Sequence, residues 1–229
     1  VEHGYRDITY AAGIVPSKLD EVAEIQRSGA RITLLTDNLD AVSAAADRAA
    51  RSSTEFHLLI EIDTGGGRAG LPAGSSELID IGRAIDTARG LSLEGVLTHA
   101  GHSYHCKSVA EVRAVAEAER LGITSAARSL RQAGLPCREI SAGSTPTAVL
   151  ADRLDGVTEM RPGAYVFFDL DQVAIGVCTM EDIAVTVLAT VIGHNRQTKR
   201  VLIDAGAIAL SKDLSANEFM SDVGYGLVC

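Results

Sequence analysis

Short β-branched apolar runs alternate along the chain with longer stretches in which apolar residues return every three or four positions. Asp7 to Ala11 predicts a first strand. Ser17 to Asp20 has the spacing of a capping box, opening a helix with Leu19, Val22 and Ile25 on one face and Gly29 at its end. Arg31 to Thr36 predicts the next strand, and Asp37 or Asn38 caps a helix running to Ala50. His57 to Asp63 predicts a third strand, followed by a helix marked by Leu78, Ile81 and Ile85. Leu93 to His99 predicts a fourth, and Ser108 with Glu111 opens a long helix ending near Gly134. Cys137 to Ile140 gives a fifth strand and Thr158 to Met160 begins a sixth.

Strands separated by single helices require parallel pairing, because a parallel return needs a crossover. The fold class is therefore α/β. Polar and glycine-rich residues cluster just after the strands, at 64–70, 99–105, 142–147 and 161–165, the distribution of a (β/α)8-type barrel with its chemistry on one face. A doubly wound sheet alternates in the same way but normally carries a phosphate loop after its first strand, and none is present there. Beyond Asp171 the pattern changes. Ile183 to Ile192 is one long β-branched run, His194 to Thr198 reads as a hairpin tip, and Arg200 to Asp204 returns. The expected division is a barrel domain over residues 1–175 and a partial antiparallel β domain over 176–229.

With 229 residues, 46% of them hydrophobic, the chain is long enough to bury a substantial core, and its composition excludes disordered, collagenous and disulfide-scaffold classes. No apolar run is long enough to cross a membrane, and no secretory signal opens the chain. A net charge of −9 without a continuous basic face argues against a nucleic-acid partner. Cys106, Cys137, Cys178 and Cys229 show no ligand-type spacing, which suits free thiols in a reducing cytoplasm. Val1 is not a start methionine and Cys229 follows a strand-like run directly, so the chain is expected to be cut at both ends.

Four segments carry candidate chemistry. Ser141 to Thr147 offers small residues, hydroxyls and backbone amides ahead of a helix expected over 147–153, as a phosphate cradle or equally a tight strand–helix turn. Arg161 to Tyr165 lies one unit later, where barrel enzymes customarily bind phosphate. Asp63 to Gly70 sets one arginine among glycines, a loop that passes close to something and aims a guanidinium at it, or a surface turn with a solvated arginine. Thr98 to His105 packs three histidines and a tyrosine without an interspersed acid, which fits a wall of hydrogen-bond donors beside an aromatic group better than zinc.

Together, 63–70, 97–104, 140–147, 159–168 and 202–213 resemble, in the same order, segments of the fold-type III pyridoxal-phosphate enzymes, in particular the D-threonine aldolase and D-serine dehydratase group related to alanine racemase. The resemblance implies a pyridoxal 5′-phosphate-binding barrel, its first two units absent from this chain, followed by a β domain. It places Arg68 at the cofactor's phenolic oxygen and His99 and Tyr104 beside the ring. Gly143, Ser144 and Thr145 with Gly163, Ala164 and Tyr165 would hold the phosphate. Many relatives carry a hydroxyl where this chain has Ala164, leaving only a backbone amide there. The family's Schiff-base lysine belongs to the first barrel strand, and none of Lys18, Lys107, Lys199 or Lys212 matches it. The zinc or manganese ligands lie beyond a segment like Asp222 to Gly226, so any divalent metal would be bound by residues outside this chain. The implied activity is a lyase acting on small β-hydroxy-D-amino acids, by aldol cleavage or dehydration, in a cytoplasmic homodimer; these residues alone are expected to be inactive. The alternatives are an amino-acid racemase, a non-catalytic cofactor-binding protein, or a sugar-phosphate barrel enzyme, which would not predict the long β run.

Overall fold

Alternate residues of the strand Phe56–Asp63 differ in chemistry, and that difference sets the layering. Phe56, Leu58, Ile60 and Ile62 are buried in a large core that also holds Leu34, Val42, Ile81, Ile85, Ile123 and Leu130. On the other face Leu59 meets only Leu35 and Leu97 in a small cluster, while His57, Glu61 and Asp63 are only partly buried. Burying each large aliphatic or aromatic side chain is worth about 1.5–3 kcal/mol, so the helix-covered face holds the sheet in place.

In the computed structural model, which describes residues 1–206, 208–210, 212, 214, 216, 219–220 and 223–228, the elements follow in the order β1 (Asp7–Gly13), α1 (Leu19–Arg27), β2 (Arg31–Thr36), α2 (Leu39–Ser52), β3 (Phe56–Asp63), β4 (Leu71–Pro72), α3 (Glu77–Thr87), β5 (Leu91–Leu97), α4 (Val109–Gln132), β6 (Glu139–Ala142), α5 (Thr145–Leu150), β7 (Glu159–Met160), α6 (Leu170–Ile175), β8 (Val191–Asn195) and β9 (Arg200–Ile203). The main sheet runs β1-β2-β3-β5-β6-β7, with the short β4 on β3, and every pair is parallel. A doubly wound sheet reverses its strand order at a switch point, whereas this order never reverses. Sequential parallel strands with helices on one face make a barrel-type arc, and among the described residues β1 and β7 do not pair to close it.

One residue breaks the ladder. Leu58 pairs with Leu93 but Leu59 pairs with Gly95, so Glu94 is the extra residue of a bulge. The bulge turns Glu94 inward at the end of the barrel away from the glycine loops, where it accepts from His57 Nδ1 at 2.7 Å and Ser92 Oγ at 3.0 Å and pairs with Arg31 at 3.1 Å. Gly95, at φ +154°, lies so close to β6 that a Cβ would stand 1.9 Å from the Glu139 carbonyl oxygen.

Several element boundaries differ from the sequence reading. Ser17 caps nothing: Pro16–Lys18 forms a 3-10 turn, and α1 begins at Leu19 without a side-chain cap. Asn38 caps α2 through Ala41 N, and Ser108 caps α4 through Glu111 N. The fifth strand is shifted to Glu139–Ala142, because its ladder to β5 starts opposite Gly95. The helix expected over 147–153 is α5, which starts two residues earlier, where Ser144 and Thr147 close a reciprocal capping box. The run Ile183 to Thr190 is not a strand; only β8 and β9 pair, antiparallel, and the turn between them occupies 196–199. Leu188 is 99% exposed there, since no described strand lies beside it to pair with or pack on. Cys106, Cys137 and Cys178 are free thiols. Cys229, and Asp222 within the segment to Gly226, lie outside the described residues, as do Ala207, Ser211 and Asp213 of the matching stretch 202–213. No helix among the described residues is long and apolar enough to cross a membrane.

Candidate active site

Polar side chains gather at the C-terminal ends of the strands. β3 ends at Asp63, whose carboxylate accepts from the Gly65 amide at 2.9 Å and the Gly67 amide at 3.1 Å. Burial pushes the Asp63 carboxyl up, but the amides of Gly65, Gly67 and Gly66 outweigh it and hold the group below its ordinary value. The loop returns through Gly70, φ +99°, where a Cβ would sit 2.8 Å from Asp63 N, and whose amide donates to Asp37 Oδ2 at 3.1 Å. Only glycine fits so close to the strand. Between these two anchors Arg68 is exposed.

β5 ends two residues before His99, which stands at the mouth with Nδ1 2.7 Å from the Gly143 carbonyl oxygen. A carbonyl can only accept, so Nδ1 carries the proton, and a neutral ring leaves its Nε2 lone pair for whatever occupies the mouth. The 3-10 turn Gly101–His105 then packs the His102 ring on the glycine loop, 3.6 Å from where a Cβ on Gly65 or Gly66 would be. Tyr104 accepts from the Thr145 amide at 3.4 Å, and Ser103 Oγ lies 2.8 Å from Ser144 Oγ.

The two expected phosphate turns are brought together. Thr145 Oγ1 accepts from the Tyr165 amide at 3.3 Å, joining the turn after β6 to the turn after β7. Gly143, at the left-handed φ of +112°, sits tightly: a Cβ would meet Met160 Cε at 3.0 Å and Arg161 N at 3.1 Å, so both would have to give by a few tenths of an ångström. Its amide is engaged by Glu119 Oε1 at 3.0 Å, and Ser144 Oγ is engaged by Thr147 and Ser103, so these two residues shape the turn. The Gly163 and Ala164 amides donate to no described residue, and nothing fills the space beside Gly163. Tyr165 is half exposed beside them.

Three further residues build this face, and the sequence reading missed them. Glu119, buried in the middle of α4, accepts from both the Ala100 amide (2.9 Å) and the Gly143 amide, tying the histidine turn to the phosphate-type turn. Its signal was available, since an acid at 119 interrupts the stripe Val112, Ala116, Ile123, Leu130. Arg161 reaches back from β7 to donate to Ser141 Oγ at 2.7 Å and to the Thr98 carbonyl. Burial lowers the Arg161 pKa, against the pull of Glu159, Glu119 and Glu61. Glu61 faces inward on β3; burial and then Asp37 push its carboxyl above the ordinary value, while Arg68 and Arg161 oppose them.

Of the lysines, Lys18 lies 5.8 Å from the Tyr10 ring centroid, Lys107 is exposed after the histidine turn, Lys199 is in the hairpin turn and Lys212 is exposed. Among the described residues no three His, Cys, Asp or Glu side chains are placed so that they could hold a metal ion.

A parallel barrel arc that collects glycine turns, two arginines and a histidine at its strand ends is the architecture of an α/β barrel with its polar face at one end. The chain belongs to the alanine racemase N-terminal domain family, whose model matches residues 3–171; a serine dehydratase domain model matches 184–229. It is 46% identical over 227 residues to the D-threo-3-hydroxyaspartate dehydratase of Delftia sp. (strain HT23), covering 99% of this chain and 60% of that protein. The D-serine dehydratase of Dictyostelium discoideum is 30% identical over 222 residues, covering 91% of this chain and 56% of that protein. The solved structure of the Delftia dehydratase superposes with a TM-score of 0.96 at 45% identity, over 100% of this chain and 60% of that one, and a mutant of it is described in the metal-free form. The chain thus spans 56–60% of the length of these curated relatives.

Proposed function

We propose that the complete protein is a pyridoxal-phosphate-dependent lyase that removes water from a small β-hydroxy-D-amino acid of the 3-hydroxy-D-aspartate type. The observation that carries the reading is the junction of two turns at Thr145 and Tyr165, with unspent amides at Gly163 and Ala164 and with Arg68 and His99 on the same face. That donor set fits the cofactor: a phosphate dianion takes amide and hydroxyl donors, and a phenolate oxygen takes a guanidinium. The choice of dehydration over aldol cleavage rests on similarity to the Delftia enzyme.

In this reading Thr145, Gly163, Ala164 and Tyr165 hold the phosphate, while Gly143 and Ser144 give their turn its shape. His99 and Tyr104 line the ring. Arg68 lies at the phenolic oxygen, and Arg161 stays fixed by Ser141 and Thr98 behind it. The cofactor, when bound, withdraws electrons from the amino acid's α-carbon so that its proton becomes acidic. Loss of the α-proton and of hydroxide, followed by hydrolysis, yields ammonia and a 2-oxo acid. A divalent metal at the substrate hydroxyl, bound outside these residues, would ease departure of hydroxide. The reacting lysine is none of Lys18, Lys107, Lys199 or Lys212. The barrel corresponds to residues 1–175 and the β domain to 176–229, in a cytoplasmic homodimer.

The test is to purify the complete protein, reduce it with borohydride in the presence of pyridoxal phosphate, and map the adduct by mass spectrometry. A pyridoxyl group on a lysine other than these four, with ammonia and 2-oxo acid released from 3-hydroxy-D-aspartate, is the expected result. Release of glycine would make the enzyme an aldolase, and absence of any adduct would overturn the reading.

A further inference from the structure

Three carboxylates surround the glycine loop, and two of them are spent on its backbone. Asp63 takes the amides of Gly65 and Gly67. Asp37 takes the amide of Gly70 on one oxygen and the side-chain amide of Asn38 on the other. Glu61, on the inward face of β3 opposite Leu97, accepts no hydrogen bond from any described residue although it is partly buried. The two cations that act on it are similarly divided. Arg161 is fixed to Ser141 Oγ and the Thr98 carbonyl and lies 3.8 Å from Glu159. Arg68 is exposed and forms no ion pair among the described residues, on a loop whose Gly65, Gly67 and Gly70 all have positive φ. One unengaged acid and one unengaged base therefore remain at the same mouth.

We propose that Glu61 is a positioning residue for Arg68: its carboxylate draws the guanidinium in from solvent and holds it across the mouth, where it meets the cofactor's phenolic oxygen. The inference rests on the cofactor reading above. A partly buried carboxylate facing Asp37 and Asp63 is costly by itself, and a guanidinium drawn toward it offsets that cost. Without Glu61, Arg68 would have to be ordered entirely by the ligand, and the entropy of that ordering would come out of the affinity.

The experiment uses the full-length protein with carbon-13-labelled glutamate carboxyls, the Glu61 resonance being assigned by its loss in Glu61→Gln. Its pKa is expected to fall when pyridoxal phosphate binds and to rise in Arg68→Ala, with Arg68→Lys returning it toward wild type. Glu61→Gln is expected to weaken pyridoxal phosphate binding about tenfold. The same substitution should raise the melting temperature of the cofactor-free protein at neutral pH, because an acid held above its ordinary pKa loses stability as pH rises. In the Arg68→Ala background Glu61→Gln should leave affinity unchanged. An equal loss in both backgrounds, or a Glu61 resonance indifferent to Arg68 while wild type binds the cofactor, overturns this inference alone. A wild-type protein that takes up no pyridoxal phosphate overturns the cofactor reading and this inference with it.

Discussion

Glu119 shows how much one side chain can carry at this site. A buried carboxylate that accepts two backbone amides links the turn at Ala100 to the turn at Gly143. Removing it in Glu119→Ala leaves two buried N–H groups unpaired, an expected loss of about 2–4 kcal/mol, whereas Glu119→Gln keeps an accepting oxygen and should cost less than half as much. Urea denaturation of both variants checks the difference, and equal losses would mean the amides find other partners. Gly143 is limited by space and by φ +112° together. Gly143→Ala should cost about 1–3 kcal/mol and, if the proposed cofactor reading holds, weaken pyridoxal phosphate binding by shifting the Arg161 backbone, measurable by thermal melts and cofactor titration. Residue types at 68, 99 and 143–145 are readable in the chain because few residues suit a tight turn or a guanidinium site. Glu119 and Arg161 were not read, because their meaning lies in partners 24 and 63 positions away.

The bulge in β5 governs how an element feeds the barrel interior. Glu94 reaches His57 and Arg31 only because Gly95 lets the ladder slip by one residue. Gly95→Ala places a methyl group 1.9 Å from the Glu139 carbonyl oxygen, so β5 and β6 must separate. The expected outcome is insoluble protein or loss of the cooperative melt, and a soluble variant with unchanged circular dichroism would refute the role given to the bulge. Helices and strands with strong periodicity were legible to within a few residues, as β2 and α2 show. The Ile183 to Thr190 run was not, because β-propensity becomes a strand only where another strand supplies hydrogen bonds and packing, and among the described residues none does.

Across the whole molecule the acids outnumber the bases, giving −9, yet the buried Glu94 is paired with both Arg31 and His57. Burial pushes the Glu94 carboxyl up, but His57, Ser92 and Arg31 outweigh it and hold it below its ordinary 4.5. A depressed carboxyl contributes stability above its unfolded pKa and loses it as pH falls through the folded value. Acidification from neutrality through about pH 4 should therefore destabilise wild type more steeply than Glu94→Gln, as urea midpoints across that range would register. Leu188 and Ile192 stand exposed together with Val201 and Leu202 of the hairpin, and β1 and β7 are open edges among the described residues. The 229-residue chain expressed alone is expected to self-associate at micromolar concentration, with Leu188→Lys and Ile192→Lys together reducing it, as light scattering would show.

Local sequence was enough for the alternation of parallel strands and crossover helices, the glycine turns after the strands and the family these segments resemble. Each of those depends on local periodicity or on a residue type that few conformations accept. The pairing β1-β2-β3-β5-β6-β7 then bears out the barrel order expected from the position of the glycine turns, while the slip at Gly95 emerges only from the fold. Only the tertiary structure decided that Glu119 stitches two turns together, that Arg161 is committed to Ser141 and Thr98, and that Glu61 and Arg68 are left unengaged at one mouth. These are contacts between residues far apart in the chain, created when the sheet curls, and no local pattern encodes which partner a side chain will meet.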